Sequence, residues 1–178
     1  MQKILPTFTL LLLSFSVFAQ KKTNHFQAGV GVEAGLPVGD FGKDYSHGLG
    51  ASLKLAYHFN PNIALTLQTG YMSFVGQNTN YSVLSHSTSF KPTELGFILI
   101  PLKLGYRTTV ANGFFFEPQA GITTLAGGGT NVTFAFCAGY TIAPGLDVSG
   151  RFEAISAEAG SLSFVGIGAS YNFPLLGK

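Results

Sequence analysis

The sequence has no tryptophan and a single cysteine, Cys137, so no intrachain disulfide can form. Cys137 falls mid-segment, where a small packing residue is expected. Charged residues make up only 10% of the chain, far below the roughly 25% of an ordinary soluble domain. The few basic residues form no stripe, so nucleic acid is not an expected partner. Beyond Ala19 there is no apolar run of the length a membrane helix needs, about 20 residues. Disorder is excluded as well, because 46% of the residues are hydrophobic.

The N-terminus reads as an export signal. Lys3 supplies the charge, residues 4–18 are mostly apolar, and Val17-Phe18-Ala19 fits a small-residue cleavage site. The organisation expected is therefore a signal peptide at 1–19 and one β-barrel domain at 20–178. No cysteine follows the cleavage site directly, so a lipid anchor there is not expected.

The apolar content lies in alternation. In Phe26-Gln27-Ala28-Gly29-Val30-Gly31-Val32-Glu33-Ala34-Gly35-Leu36, one face carries Phe, Ala, Val, Val, Ala and Leu. The other carries Gln, Gly, Gly, Glu and Gly. A period of two with unlike faces marks a strand with two different surroundings. Eight such segments follow one another, at 26–36, 48–59, 63–75, 93–107, 114–126, 132–142, 146–155 and 161–173. The links after the second, fourth and sixth are tight turns through Asn60-Pro61-Asn62, Asn112-Gly113 and Ala143-Pro144-Gly145. Those after the first and third, at 37–47 and 76–92, are longer, and the fifth is the glycine run Gly127-Gly128-Gly129-Thr130-Asn131. The expected fold is all-β: an eight-stranded antiparallel up-and-down transmembrane β-barrel behind a cleaved signal peptide. An even strand number puts both termini on one side, the periplasmic side for an exported chain.

Aromatics on the apolar faces cluster at the strand ends. Phe26, Tyr57, Phe59, Tyr106, Phe114, Tyr140, Tyr171 and Phe173 fall at the end with tight turns, and Tyr71, Phe134, Phe136 and Phe152 towards the other. Two girdles match a bilayer's two interfaces.

Several pieces resemble the small outer-membrane β-barrel proteins of Bacteroidetes-type bacteria, described as porin-family, PorT-like or OmpA-like barrels. They are Gly35-Leu36-Pro37-Val38-Gly39-Asp40-Phe41, Gly48-Leu49-Gly50, Gly70-Tyr71, Ile100-Pro101-Leu102-Lys103-Leu104-Gly105-Tyr106-Arg107 and Leu146-Asp147-Val148-Ser149-Gly150-Arg151. Ala169-Ser170-Tyr171-Asn172-Phe173 is similar to the aromatic-ended signal read by barrel-insertion machinery, although Pro174 to Lys178 continue past it. The resemblance implies a barrel embedded in the outer membrane of a Gram-negative bacterium, in contact with lipid and lipopolysaccharide, and no specific activity.

Parity places Glu33, Lys54, Lys103, Arg107, Glu117, Asp147, Arg151 and Glu153 inside, four acids and four bases. Glu117 is expected across from Lys103 or Arg107, since a short turn joins their strands, and Asp147, Arg151 and Glu153 are expected as same-face neighbours. Inward glycines such as Gly29, Gly31, Gly105 and Gly168 leave room for long side chains. An eight-stranded barrel is only wide enough for side chains to fill it. Matched charges are therefore expected to pair and close the lumen; a narrow ion path lined by the same charges is the alternative.

No catalytic, cofactor or metal site is expected. His25, His47, His58 and His86 are scattered, without ligand spacing. Ser85-His86-Ser87 lacks a third member, and His58 points inward, unlike the outward His and Ser of lipid-modifying barrels. The leading expectation is a structural or surface-interaction barrel with possible surface or envelope protein partners. Its candidate recognition loop is 76–92, with Gln77, Asn78, Asn80, Tyr81, His86, Phe90 and Lys91, beside the 37–47 link. A narrow pore or a secretion or assembly component is the second reading. A soluble lipocalin-like ligand carrier, with its apolar face turned inward, is the third.

Overall fold

The computed structural model describes residues 26–76, 96–126, 128–157 and 160–175. Eight strands follow in chain order: β1 (Phe26–Val38), β2 (Tyr45–Asn60), β3 (Ile63–Gly76), β4 (Phe97–Thr109), β5 (Phe114–Leu125), β6 (Gly128–Ala143), β7 (Leu146–Ala157) and β8 (Gly160–Pro174). One helical turn, α1 (Phe41–Asp44), joins β1 to β2. Every strand pairs antiparallel with its successor, and β8 returns to β1 to close the barrel. Closure leaves no sheet edge, which a lipid-exposed sheet cannot tolerate.

The pleat sorts side chains as the alternation demands. In β5, Phe115, Glu117 and Gln119 are buried while Phe114, Phe116 and Pro118 are exposed. The outer wall is apolar: Ile167 is 71% exposed, Leu49 66% and Val32 65%. A soluble carrier would show the reverse arrangement, so the lipocalin-like expectation fails on the direction of the faces. The proposed girdle residues Phe26, Phe59, Tyr106 and Phe114, near the tight turns, and Tyr71, Phe134, Phe136 and Phe152, on the remaining wall, lie on this exposed surface.

The tight turns form where turn chemistry allows. Asn112 (φ 64°) and Gly113 (φ 84°) both adopt left-handed backbone, and Val110 N–H bonds Phe114 O at 2.7 Å. Such a pair of positive φ values is the hairpin signature of Asn-Gly.

The expected boundaries differ at the other end of the barrel. The 37–47 link shrinks to Gly39, Asp40 and α1, because β1 continues through Pro37, paired with Phe164, to Val38. Proline is tolerated near a strand end, where a missing N–H costs least. The glycine run is likewise strand: β6 starts at Gly128, and Thr130 and Asn131 pair with Thr124 and Thr123. Ladder hydrogen bonding to a neighbour holds these residues extended although their composition reads as a link. β4 begins at Phe97 and continues to Thr109 rather than ending at Arg107.

Candidate functional site: the lumen and its mouth

All eight of the expected inward charges face the lumen, and space for them is set by their neighbours. Lys54 sits across from Gly29, Glu33 from Gly50 and Gly168, Lys103 from Gly121 and Arg151 from Gly166. A methyl group on Gly105 would lie 3.2 Å from Glu117 Oε1 and 3.0 Å from Gln119 Cγ. The glycines are what let long side chains lean sideways inside so narrow a barrel.

The charges form two groups. The larger is one continuous chain. Glu117 accepts from Lys54 Nζ at 3.0 Å, Thr66 Oγ1 at 2.8 Å and Gln119 Nε2 at 2.7 Å. Gln119 Nε2 also donates to Gln68 Oε1 at 2.9 Å, and Gln68 Nε2 to Glu33 Oε1 at 3.0 Å. Arg151 grips Glu33 with two N–H groups, at 2.5 and 3.1 Å. It also lies 3.5 Å from Glu153, which binds Lys103. The second group lies towards the tight turns. Arg107 Nη1 donates to Asp147 Oδ2 at 2.6 Å, while Thr141 Oγ1 and Asn172 Nδ2 donate to the same carboxylate at 2.6 and 2.9 Å. The Arg107 guanidinium also stacks 3.6 Å over the Phe115 ring.

Both expected wall placements hold, Glu117 opposite Arg107 and Asp147, Arg151 and Glu153 on one face of β7, but the ion pairs run elsewhere. Glu117 lies opposite Arg107 on adjacent strands but reaches Lys54, not Lys103 or Arg107. Asp147 bonds Arg107 instead of joining Arg151 and Glu153. Backbone register predicts neighbours along the wall; an inward side chain in a narrow barrel can equally meet the opposite wall. Sequence reasoning also missed the uncharged connectors Thr66, Gln68, Gln119, Thr141 and Asn172. They occupy inward positions of β3, β5, β6 and β8, so the same parity would have found them.

Towards the longer links the lumen turns apolar. Met72, Phe74, Leu99, Ile155 and Phe164 are buried together, with Phe41 of α1 inserted among them. The Phe41 ring centroid lies 5.0 Å from those of Tyr45 and Phe74 and 5.5 Å from that of Phe97. These residues were not anticipated as lumen-facing, yet Phe74 shares parity with Gln68.

The fill is tight. Cavities along the charge chain measure about 20, 10 and 10 Å³, room for about one water each. Lys103 and Glu117 have no exposed surface. Among the described residues, the only buried side-chain oxygen or nitrogen without a partner is Gln119 Oε1. Buried ions are tolerated only when paired and hydrogen-bonded, and this arrangement meets that demand. At the mouth, Lys43 donates to Asp40 at 2.7 Å, both exposed, and holds its carboxyl below the usual range. The candidate recognition residues Gln77, Asn78, Asn80, Tyr81, His86, Phe90 and Lys91 lie outside the described residues.

Comparisons with known proteins agree with this geometry. Residues 7–173 match the outer membrane protein beta-barrel domain family. No curated protein matches the chain in sequence. Among solved structures, Ail of Yersinia pestis in a phospholipid nanodisc superposes with a TM-score of 0.57 at 12% identity, over 83% of this chain and 99% of that one. Neisserial surface protein A gives 0.55 at 12%, over 87% and 100%. The N-terminal β-barrel domain of Pseudomonas aeruginosa OprF gives 0.53 at 13%, over 83% and 97%. At these identities the likeness is one of fold. With the apolar wall, the closed eight-strand ladder and a family match over nearly its whole length, the chain belongs to the outer membrane protein beta-barrel domain family and sits in the outer membrane.

Proposed function

We propose that this barrel is a sealed, non-enzymatic scaffold whose outer links contact lipopolysaccharide, surfaces or envelope proteins. One observation carries the reading: the lumen is filled twice over, by the paired charges and by the apolar cluster around Phe41. A wall committed to lipid and an interior committed to packing leave the links as the free surface. Loops on rigid scaffolds often carry recognition. Tight turns mark the periplasmic side of such barrels, so both termini and the three hairpin turns are periplasmic. The 76–92 and 37–47 links then face outward. The finer kinship with PorT-like barrels of Bacteroidetes-type bacteria rests on the order of the sequence motifs. Removal of residues 1–19 during export belongs to the same reading, and mass spectrometry of the mature protein should find Gln20 at its N-terminus.

The test replaces residues 77–91 with a short Gly/Ser turn. The barrel should still insert and keep its heat-modifiable mobility, while surface crosslinks to partners disappear. Retained crosslinks, or failure to fold, would count against recognition by this link. Steady single-channel conductance of the wild-type barrel in planar bilayers would overturn the sealed lumen and favour a narrow pore.

A further inference from the structure

Strand β4 is bonded to its neighbours less completely than any other described strand. Its ladder to β3 pairs Thr69 with Leu102 and Met72 with Leu99, but Gly70 and Tyr71 have no ladder partner in Ile100 and Pro101. Its ladder to β5 pairs Gly105 with Gln119 and Thr108 with Phe116, but skips Tyr106 and Arg107 against Glu117 and Pro118. The other six ladders, over the described residues, are interrupted only by bulges near strand ends.

Each gap contains a proline. Proline has no N–H, so it removes a ladder bond and is ordinarily excluded from central strands. In lipid no water can replace that bond. The Thr69 hydroxyl compensates in part, donating to Pro101 O at 2.9 Å. The gaps lie on opposite flanks of β4 and at different heights, so the strand is weakened on both sides.

What β4 lacks along the wall it has across the lumen. It carries two of the four lumen cations, the two that are buried, and both reach β7. Lys103 binds Glu153, and Arg107 binds Asp147 at 2.6 Å. Both pairs are almost wholly shielded from water, where a charge pair is least screened. Arg107 is further held by the Phe115 ring.

We infer that β4 is a releasable strand, latched from the opposite wall by its two ion pairs, and that the barrel opens laterally first along the flanks of β4. The sealed lumen would then serve as the latch for a seam in the wall. A barrel needing only a filled interior has no use for two mid-strand prolines, Pro101 within β4 and Pro118 on β5, that open both flanks of one strand. The inference is separate from recognition by the outer links and stands whatever those links bind.

Amide hydrogen exchange of the refolded barrel in detergent micelles, read residue by residue by NMR, tests this. Amides bridging β4 to β3 and β5 should exchange on the order of tenfold faster than mid-strand amides bridging β1 to β8, the effect of about one missing ladder bond. Asp147→Asn should accelerate exchange along β4 further and leave the β1–β8 ladder unchanged. If that variant does not fold, Glu153→Gln keeps an acceptor for Lys103 and makes the same comparison. Pro101→Val supplies the missing N–H and should slow exchange on the β3 flank alone. Equal exchange around the whole wild-type barrel would overturn the proposal. So would a latch variant that loosens all strands alike, or a Pro101→Val variant with an unchanged β3 flank.

Discussion

Glu117 is opposite Arg107 along the wall, yet its carboxylate is bonded to Lys54 of β2 at 3.0 Å. Glu117 is fully buried and accepts three hydrogen bonds, whereas Lys54 remains slightly exposed. The carboxylate is thus the member that depends on its partners, and it holds Thr66 and Gln119 in place in return.

Glu117→Ala should therefore be costly. It leaves Lys54 facing a low-dielectric lumen, strips Thr66 of its acceptor and leaves Gln119 with one of its two. Removing one member of a buried pair costs about 3 kcal/mol or more. The urea midpoint of the barrel refolded in lipid vesicles should fall accordingly. Combining it with Lys54→Met should recover part of the loss, since no unpaired charge remains. An unchanged midpoint in the single variant would mean that water already solvates the pair.

Phe41→Ala should separate the two seals. Phe41 is only 2% exposed and contacts three rings. Truncating a buried phenylalanine costs about 3 kcal/mol at the lower end of the usual range. Stability should fall by that order while the barrel stays non-conducting in planar bilayers, because the charge chain lies intact beneath. Conductance in this single variant would show that the apolar cluster alone closes the lumen.

Cys137 is a built-in reporter of closure. It is the chain's only thiol, is buried at 3% exposure, and accepts from Arg151 Nε at 3.3 Å. A water-soluble maleimide should label it in urea and leave it unmodified in the folded barrel. Rapid labelling of the folded form would reveal a water path to the centre of the lumen.

Asp40 and Lys43 offer the opposite case. Lys43 depresses the Asp40 carboxyl by hydrogen bonding and by its charge. A depressed carboxyl contributes stability above its unfolded value and loses it as pH falls. Both groups are open to solvent, however, which screens the pair to near nothing. Asp40→Asn should leave the urea midpoint unchanged from neutral to acid pH. A midpoint that drops only in the wild-type protein on acidification would show that α1 is held by this bridge.

Much of the molecule follows from period-two patterning alone. Eight alternating segments determine the strand count, the side of the termini and which residues face in. Glu33, Lys54, Lys103, Arg107, Glu117, Asp147, Arg151 and Glu153 all lie in the lumen because a pleated strand gives each residue one of two faces. Asn112-Gly113 identifies its hairpin because few residues accept two positive φ values.

Tertiary structure decided the rest, for two physical reasons. Strand pairing constrains neighbours along the wall, but the lumen is narrow enough for a side chain to bond the wall opposite. Glu117 therefore chose Lys54, and Arg107 chose Asp147. An apolar residue in a membrane barrel, moreover, has two acceptable surroundings, lipid or a dry interior. Phe41 and Phe164 read as ordinary hydrophobes until closure of the ladder and the turn of α1 bring them to one end of the lumen. Only the closed barrel determines which water-free environment each one occupies.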